Sequence, residues 1–90
     1  MAIKIKSPAE IEKMRLAGRV VATILSELAA MCVPGVRTME FERRSAEMIE
    51  AAGAISLFKN YPHYAGGDPY PATVCVSVNE EVVHGIPGDR

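Results

Sequence analysis

His84 stands between Val83 and Gly85. An imidazole titrates near neutrality, so it can act as acid, base, hydrogen-bond partner or metal ligand. Gly85 leaves room beside the ring, although a lone histidine serves structural roles just as readily. Cys75 would be a nucleophile only beside a base. Otherwise it reads as a small core residue on the inward face of a strand. Tyr70, Cys75 and His84 together form a candidate pocket, and His63 is a second, more remote histidine. A metal site is not evident. Zinc takes about four ligands, usually in pairs at recognisable spacing. The chain has neither a CxxC nor an HExxH. Glu80 and Glu81 are adjacent on an expected turn, so their carboxylates need not converge. Gly66-Gly67-Asp68-Pro69 does not follow a strand and reads as loop, not as a phosphate cradle.

These residues must be placed by the elements around them. Ser7-Pro8-Ala9-Glu10 combines a capping serine, a proline suited to the first helical position and a glutamate that can close a capping box. Ile11, Met14, Ala17, Val21, Ile24, Leu25, Leu28 and Met31 follow at helical spacing, and Val33-Pro34-Gly35 stops the run. The pattern predicts an amphipathic helix over roughly residues 8–32. Thr38 is the expected cap of a second helix, with Glu40 and Glu42 in its first turn, Phe41, Ser45, Met48, Ile49 and Ala52 on one face, and Gly53 at its end. A short link suggests that the two helices pack as an antiparallel hairpin.

Ala54–Phe58 reads as a short strand. Lys59–Ala72 is a loop holding Tyr61, Tyr64 and Tyr70, and loops of this length are usually functional or disordered. Thr73–Val78 alternates with period two: Val74, Val76 and Val78 face one side, and Thr73, Cys75 and Ser77 the other. Asn79-Glu80 is the expected turn into a second strand, Glu81–His84. The expected fold class is therefore α+β, two helices followed by a β-hairpin.

Composition narrows the function. The chain has 90 residues, 10 Lys+Arg against 11 Asp+Glu, and a net charge of −1. That balance does not suit a strongly basic nucleic-acid binder, which would leave a surplus of positive charge. With 49% hydrophobic residues the chain is not a disordered tail. No apolar run approaches the ~18 residues that suggest a membrane span, and the N-terminus lacks a secretory core. Two cysteines fit a reducing cytoplasm and do not make a disulfide scaffold. A chain this short buries only about 60–65% of its unfolded surface. It has no tryptophan to thicken its core, so core borrowed from elsewhere is expected.

Ile5-Lys6-Ser7-Pro8-Ala9-Glu10-Ile11-Glu12-Lys13-Met14-Arg15-Leu16-Ala17-Gly18 resembles the opening of type I methionine aminopeptidases. Val33-Pro34-Gly35-Val36-Arg37-Thr38 resembles the family's link between its first two helices. The most specific stretch runs from Tyr70-Pro71-Ala72-Thr73 through Val83-His84-Gly85-Ile86-Pro87. The chain departs from the family pattern in the loop at residues 60–69, where the family's loop histidine has no clear counterpart. The resemblance implies the N-terminal half of a pita-bread fold. It also implies removal of the initiator methionine from nascent chains by hydrolysis at two divalent metal ions (Co, Mn, Fe or Zn). The residue matching His84 then hydrogen-bonds substrate beside the scissile amide, and those matching Tyr70 and Cys75 line the methionine side-chain pocket.

All of the family's metal ligands lie downstream of the segment matching His84–Pro87. Residues 1–90 are thus expected to be the N-terminal part of such a domain, without a metal-binding residue and inactive alone. The expected partner is a peptide or nascent chain beginning with methionine, with the ribosome and self-association as further candidates; no nucleic acid or membrane is expected. Two alternatives remain open: a non-catalytic peptide-binding or self-associating module, and a fragment of an Xaa-Pro peptidase relative.

Overall fold

The computed structural model describes residues 3–62 and 67–90. Two helices organise it, α1 (Pro8–Ala30) and α2 (Thr38–Ala51). The start of α1 follows from local chemistry. The Glu10 amide donates to Ser7 Oγ at 3.2 Å, and the Ser7 amide donates to Glu10 Oε1 at 2.8 Å. This reciprocal box satisfies two amides that the helix cannot bond internally, and a cap of this kind contributes about 1 kcal/mol. The Ser7 bonds also hold the Glu10 carboxyl below its ordinary pKa.

The helices run antiparallel, as the short link suggests. Contacts between them pair late α1 with early α2: Ile24 and Leu28 are buried with Phe41, while Val20, Ile24 and Met48 share a shallow cavity of about 230 Å³. Arg44 Nε reaches Glu27 Oε1 at 3.2 Å across the pair. Only part of the expected α1 stripe is covered. Ile11, Met14, Val21 and Leu25 are exposed, as is Leu16. Val21 and Leu25 lie beside the covered residues Val20, Ile24 and Leu28 but off the face that meets α2. For Ile11, Met14 and Leu16 the reason is length, since α1 has 23 residues and α2 has only 14. At a rise of about 1.5 Å per residue, roughly 13 Å of α1 is left without a helical partner.

The start of α2 corrects the expected cap. Arg37 occupies that position, and its amide donates to Glu40 Oε2 at 2.7 Å. Thr38 is already helical, and its hydroxyl is engaged elsewhere. The first-turn amides of α2 are satisfied by the far end of the chain: Thr38 N–H donates to Arg90 O at 2.8 Å and Met39 N–H to Gly88 O at 2.9 Å. Gly53 ends α2 at φ +68°. Glycine adopts this left-handed region without a steric penalty.

The expected strands do not appear. Among the described residues no strand forms, neither at residues 54–58 nor as a hairpin over residues 73–84. Residues 54–58 are largely exposed, with Ile55 and Leu57 in solvent. The segments at 73–78 and 81–85 do fold back on each other, turning at Asn79 (φ +53°). Backbone bonds join them at Val76 N–H to Gly85 O, 2.9 Å, and, at the turn, Glu81 N–H to Val78 O, 3.1 Å; side-chain bonds run from Gly85 N–H to Ser77 Oγ at 3.1 Å and from Val78 N–H to Glu81 Oε1 at 2.8 Å. An isolated two-stranded ribbon is marginal in water, so these few contacts do not grow into a ladder. The period-two pattern still governs burial: Val74, Val76 and Val78 are half-buried, while Cys75 and Ser77 are exposed. Val74 and Val76 pack against the Ile24–Leu28–Phe41 cluster.

Candidate functional site

The candidate site lies on the segment that α2 holds in place. Glu42 is the anchor. Its Oε1 accepts from Thr73 N–H at 2.7 Å, Thr73 Oγ1 at 2.9 Å and Val74 N–H at 3.2 Å. Thr73 Oγ1 also lies 3.1 Å from Oγ of Ser45, which is fully buried. Hydrogen bonds to a charged acceptor are stronger than neutral ones. This cluster therefore fixes where the backbone leaves Ala72, itself buried, and enters residues 74–76.

Tyr70 is half-buried, and its ring is pinned at the hydroxyl. The oxygen lies 2.8 Å from Val74 O and 3.1 Å from Gly85 O, so its proton is shared between the two carbonyls. The neck of the 59–72 loop closes at the same residue: Asn60 N–H donates to Tyr70 O at 2.7 Å, and Tyr70 N–H to Tyr61 O at 3.0 Å. Burial first, and then the neighbouring Cys75 thiol and Glu42 carboxylate, push the Tyr70 hydroxyl well above the ordinary tyrosine range. It stays a neutral hydrogen-bond donor at physiological pH. His63 and Tyr64 lie outside the described residues.

His84 is held at φ +57°. A non-glycine residue in this region is uncommon and marks a backbone fixed by its surroundings. Here the fixing contacts come next in sequence. Gly85 packs so closely on the backbone of Val76 and Ser77 that a β-carbon would strike it. His84 Nδ1 lies 3.9 Å from Cys75 Sγ, and both side chains are exposed. The structure thus brings Tyr70, Cys75 and His84 onto one surface, with Tyr70 bonded to the residue that follows His84. The expectation of Cys75 as a small core residue is corrected, because its thiol faces solvent. The arrangement is an open surface: neither the cavity beside Val20 and Met48 nor the one beside Ile5 and Met14 includes any of the three residues.

Sequence reasoning missed Glu42, Ser45 and Thr73. The sequence assigns Glu42 to the helix dipole, and no local signal ties it to a threonine 31 positions away. The carboxylates nearest the site are already engaged. Glu42 is bonded to Thr73, Glu80 to Arg90, and Glu81 Oε1 to Val78 N–H at 2.8 Å. Among the described residues no group of three or more His, Cys, Asp or Glu side chains could hold a metal ion. The residues present do not fit a dimetal centre by themselves.

Against this geometry, residues 12–90 match metallopeptidase family M24. The chain belongs to metallopeptidase family M24. It is 45% identical over 85 residues to methionine aminopeptidase 1 of Bacillus subtilis, covering 94% of this chain and 32% of that protein. It is 42% identical over 90 residues to methionine aminopeptidase of Escherichia coli K12, covering 99% of this chain and 32% of that one. The crystal structure of methionine aminopeptidase from Thermotoga maritima superposes with a TM-score of 0.85 at 42% identity, over 98% of this chain and 33% of the other. This M24 chain spans about a third of the length of the relatives it matches. Its fold is that of one part of a methionine aminopeptidase. No helix among the described residues is long and apolar enough to cross a membrane.

Proposed function

We propose that this chain supplies the substrate-recognition part of a cytoplasmic methionine aminopeptidase, which removes methionine from the N-terminus of a newly made protein. In this reading the methionine side chain lies against Tyr70 and Cys75, where an aromatic face and a soft sulfur suit a thioether. His84 donates to the substrate beside the amide to be cleaved. A donor aimed at charge that develops during the reaction typically contributes about 3–4 kcal/mol to the transition state. The single observation that carries the reading is the meeting of Cys75 and His84 at 3.9 Å beside the pinned hydroxyl of Tyr70.

Hydrolysis at divalent metal ions belongs to the proposal for the whole enzyme. The described residues offer no ligand cluster, so residues 1–90 alone are proposed to bind and not to cleave. The extensive exposed apolar surface, including Ile3 and Ile5 at 94% exposure, supports a chain that works within a larger assembly. Residues 73–85 are proposed to complete their hairpin ladder when a further strand flanks them. Titration of the 15N-labelled chain with a Met-Ala-Ser peptide tests the recognition step. The expected result is shifts concentrated at Tyr70, Cys75 and His84, absent with Ala-Ala-Ser. Equal responses to the two peptides, or shifts centred elsewhere, contradict the reading.

A further inference from the structure

The chain holds two free cysteines, both exposed, in different surroundings. Cys32 follows the end of α1, and its thiol points back to Leu28 O at 3.6 Å, so its proton has a carbonyl partner. Cys75 has an imidazole nitrogen, His84 Nδ1, at 3.9 Å. A thiol beside an imidazole is the arrangement in which a cysteine becomes a nucleophile, because the ring can take the proton as the sulfur attacks. The backbone strengthens the case: His84 is kept in the left-handed region, and the close packing of Gly85 on Val76 and Ser77 holds the two segments together.

We propose that Cys75 and His84 form a thiol-exchange site that takes low-molecular-weight disulfides such as glutathione disulfide. The step is a balanced exchange. His84 Nδ1 accepts the thiol proton, and Cys75 Sγ attacks one sulfur of the disulfide. The new sulfur–sulfur bond forms as the old one breaks, and the departing thiolate takes the proton from the imidazolium. No other oxidant is required, and reaction with excess thiol reverses the step. Where the recognition reading above also holds, the attached group covers the surface proposed for the methionine side chain, and oxidation of the thiol pool lowers substrate binding.

The test is the rate of mixed-disulfide formation at each cysteine of the full chain in glutathione disulfide at neutral pH, located by peptide mass spectrometry. Cys75 is expected to react about 3- to 10-fold faster than Cys32, a modest factor because the imidazole stands 3.9 Å away and assists only as the sulfur attacks. His84→Asn, which keeps a residue tolerant of left-handed backbone, is expected to bring Cys75 down to the rate of Cys32. His84→Gln checks that the change follows loss of the imidazole and not a shift of the fold, which the amide spectrum monitors. Equal rates at the two cysteines, or a Cys75 rate that neither substitution changes, overturn the proposal. Adding Met-Ala-Ser separates the two readings. Slower reaction at Cys75 supports both, whereas fast, histidine-dependent reaction without protection leaves the exchange site standing and contradicts the methionine pocket.

Discussion

Thr38 and Gly88, fifty positions apart, exchange hydrogen bonds through a single hydroxyl: Gly88 N–H donates to Thr38 Oγ1 at 2.8 Å, and Thr38 Oγ1 donates to Gly88 O at 3.2 Å. The start of α2 and the segment after His84 are thereby one unit. Met39 N–H also donates to Gly88 O, which makes that carbonyl a second partner for the positive end of the helix. Replacing the hydroxyl with a methyl of nearly the same shape leaves Gly88 N–H without its acceptor. Thr38→Val is expected to cost about 1–3 kcal/mol, the usual penalty for a polar group left unpaired. A denaturant titration reads this as a lower midpoint with unchanged slope; an unchanged midpoint shows that the contact contributes nothing.

Glu42 should matter more than an ordinary helix-surface carboxylate, because one oxygen serves three donors. Glu42→Ala removes all three bonds and strands the Thr73 and Val74 amides. The expected loss is about 2–4 kcal/mol, with Glu42→Gln intermediate because it keeps an acceptor without the charge. Chemical denaturation gives the energies, and amide shifts of Thr73 and Val74 show whether the effect is local. Equal stability of Glu42→Ala and the parent chain contradicts this role.

Gly85 has a steric duty. A β-carbon there lands on the Val76 carbonyl oxygen and within 2.8 Å of Ser77 Cα, and both are backbone atoms that cannot swing aside. Gly85→Ala is therefore expected to part the two segments, break the Val76 N–H to Gly85 O bond and separate His84 from Cys75. Hydrogen exchange at the Val76 amide should accelerate about 10-fold or more, as expected when local opening becomes easier by ~1.4 kcal/mol. Unchanged protection at Val76 rules the clash out.

The pH response of the 80–90 segment follows from one ion pair. Arg90 meets Glu80 at 2.7 Å, and this bond, with a backbone contribution, lowers the Glu80 pKa from 4.5 to about 2. The folded-state pKa lies below the unfolded one, so the contribution is fully present above about pH 4.5 and is lost as pH falls towards 2. Both groups are on the surface, and salt screens the effect. A carboxyl NMR titration should find Glu80 well below the ordinary glutamate range, and Arg90→Ala should raise it part of the way back, leaving the backbone contribution in place. A normal value in the parent chain contradicts the pairing.

What was legible in the sequence was what neighbours in the chain decide. Ser7, Pro8 and Glu10 mark the start of α1 because their partners are three residues away, and Gly53 ends α2 for a similar local reason. Thr38 misled because its hydroxyl, read as a cap, is held by Gly88. The valines at 74, 76 and 78 revealed which side is packed but not whether a ladder forms, since a ladder needs neighbouring strands. Cys75 reads as a small core residue on an inward strand face, but no strand forms there among the described residues and its thiol is exposed. Tyr70, Cys75 and His84 became a candidate trio through single-residue chemistry and family resemblance. Their meeting depends on the Val76–Gly85 contact, which no spacing rule announces.

The most direct test of the proposed function joins residues 1–90 to the part of Bacillus subtilis methionine aminopeptidase 1 that lies beyond its matching third. The metal-loaded chimera, shown to be folded by circular dichroism, is assayed for methionine release from Met-Ala-Ser. The account predicts release by the chimera, none by residues 1–90 alone, and a fall in kcat of about 100- to 1000-fold on His84→Ala with little change in KM. A folded chimera that releases no methionine, or one in which His84→Ala leaves kcat intact, contradicts it.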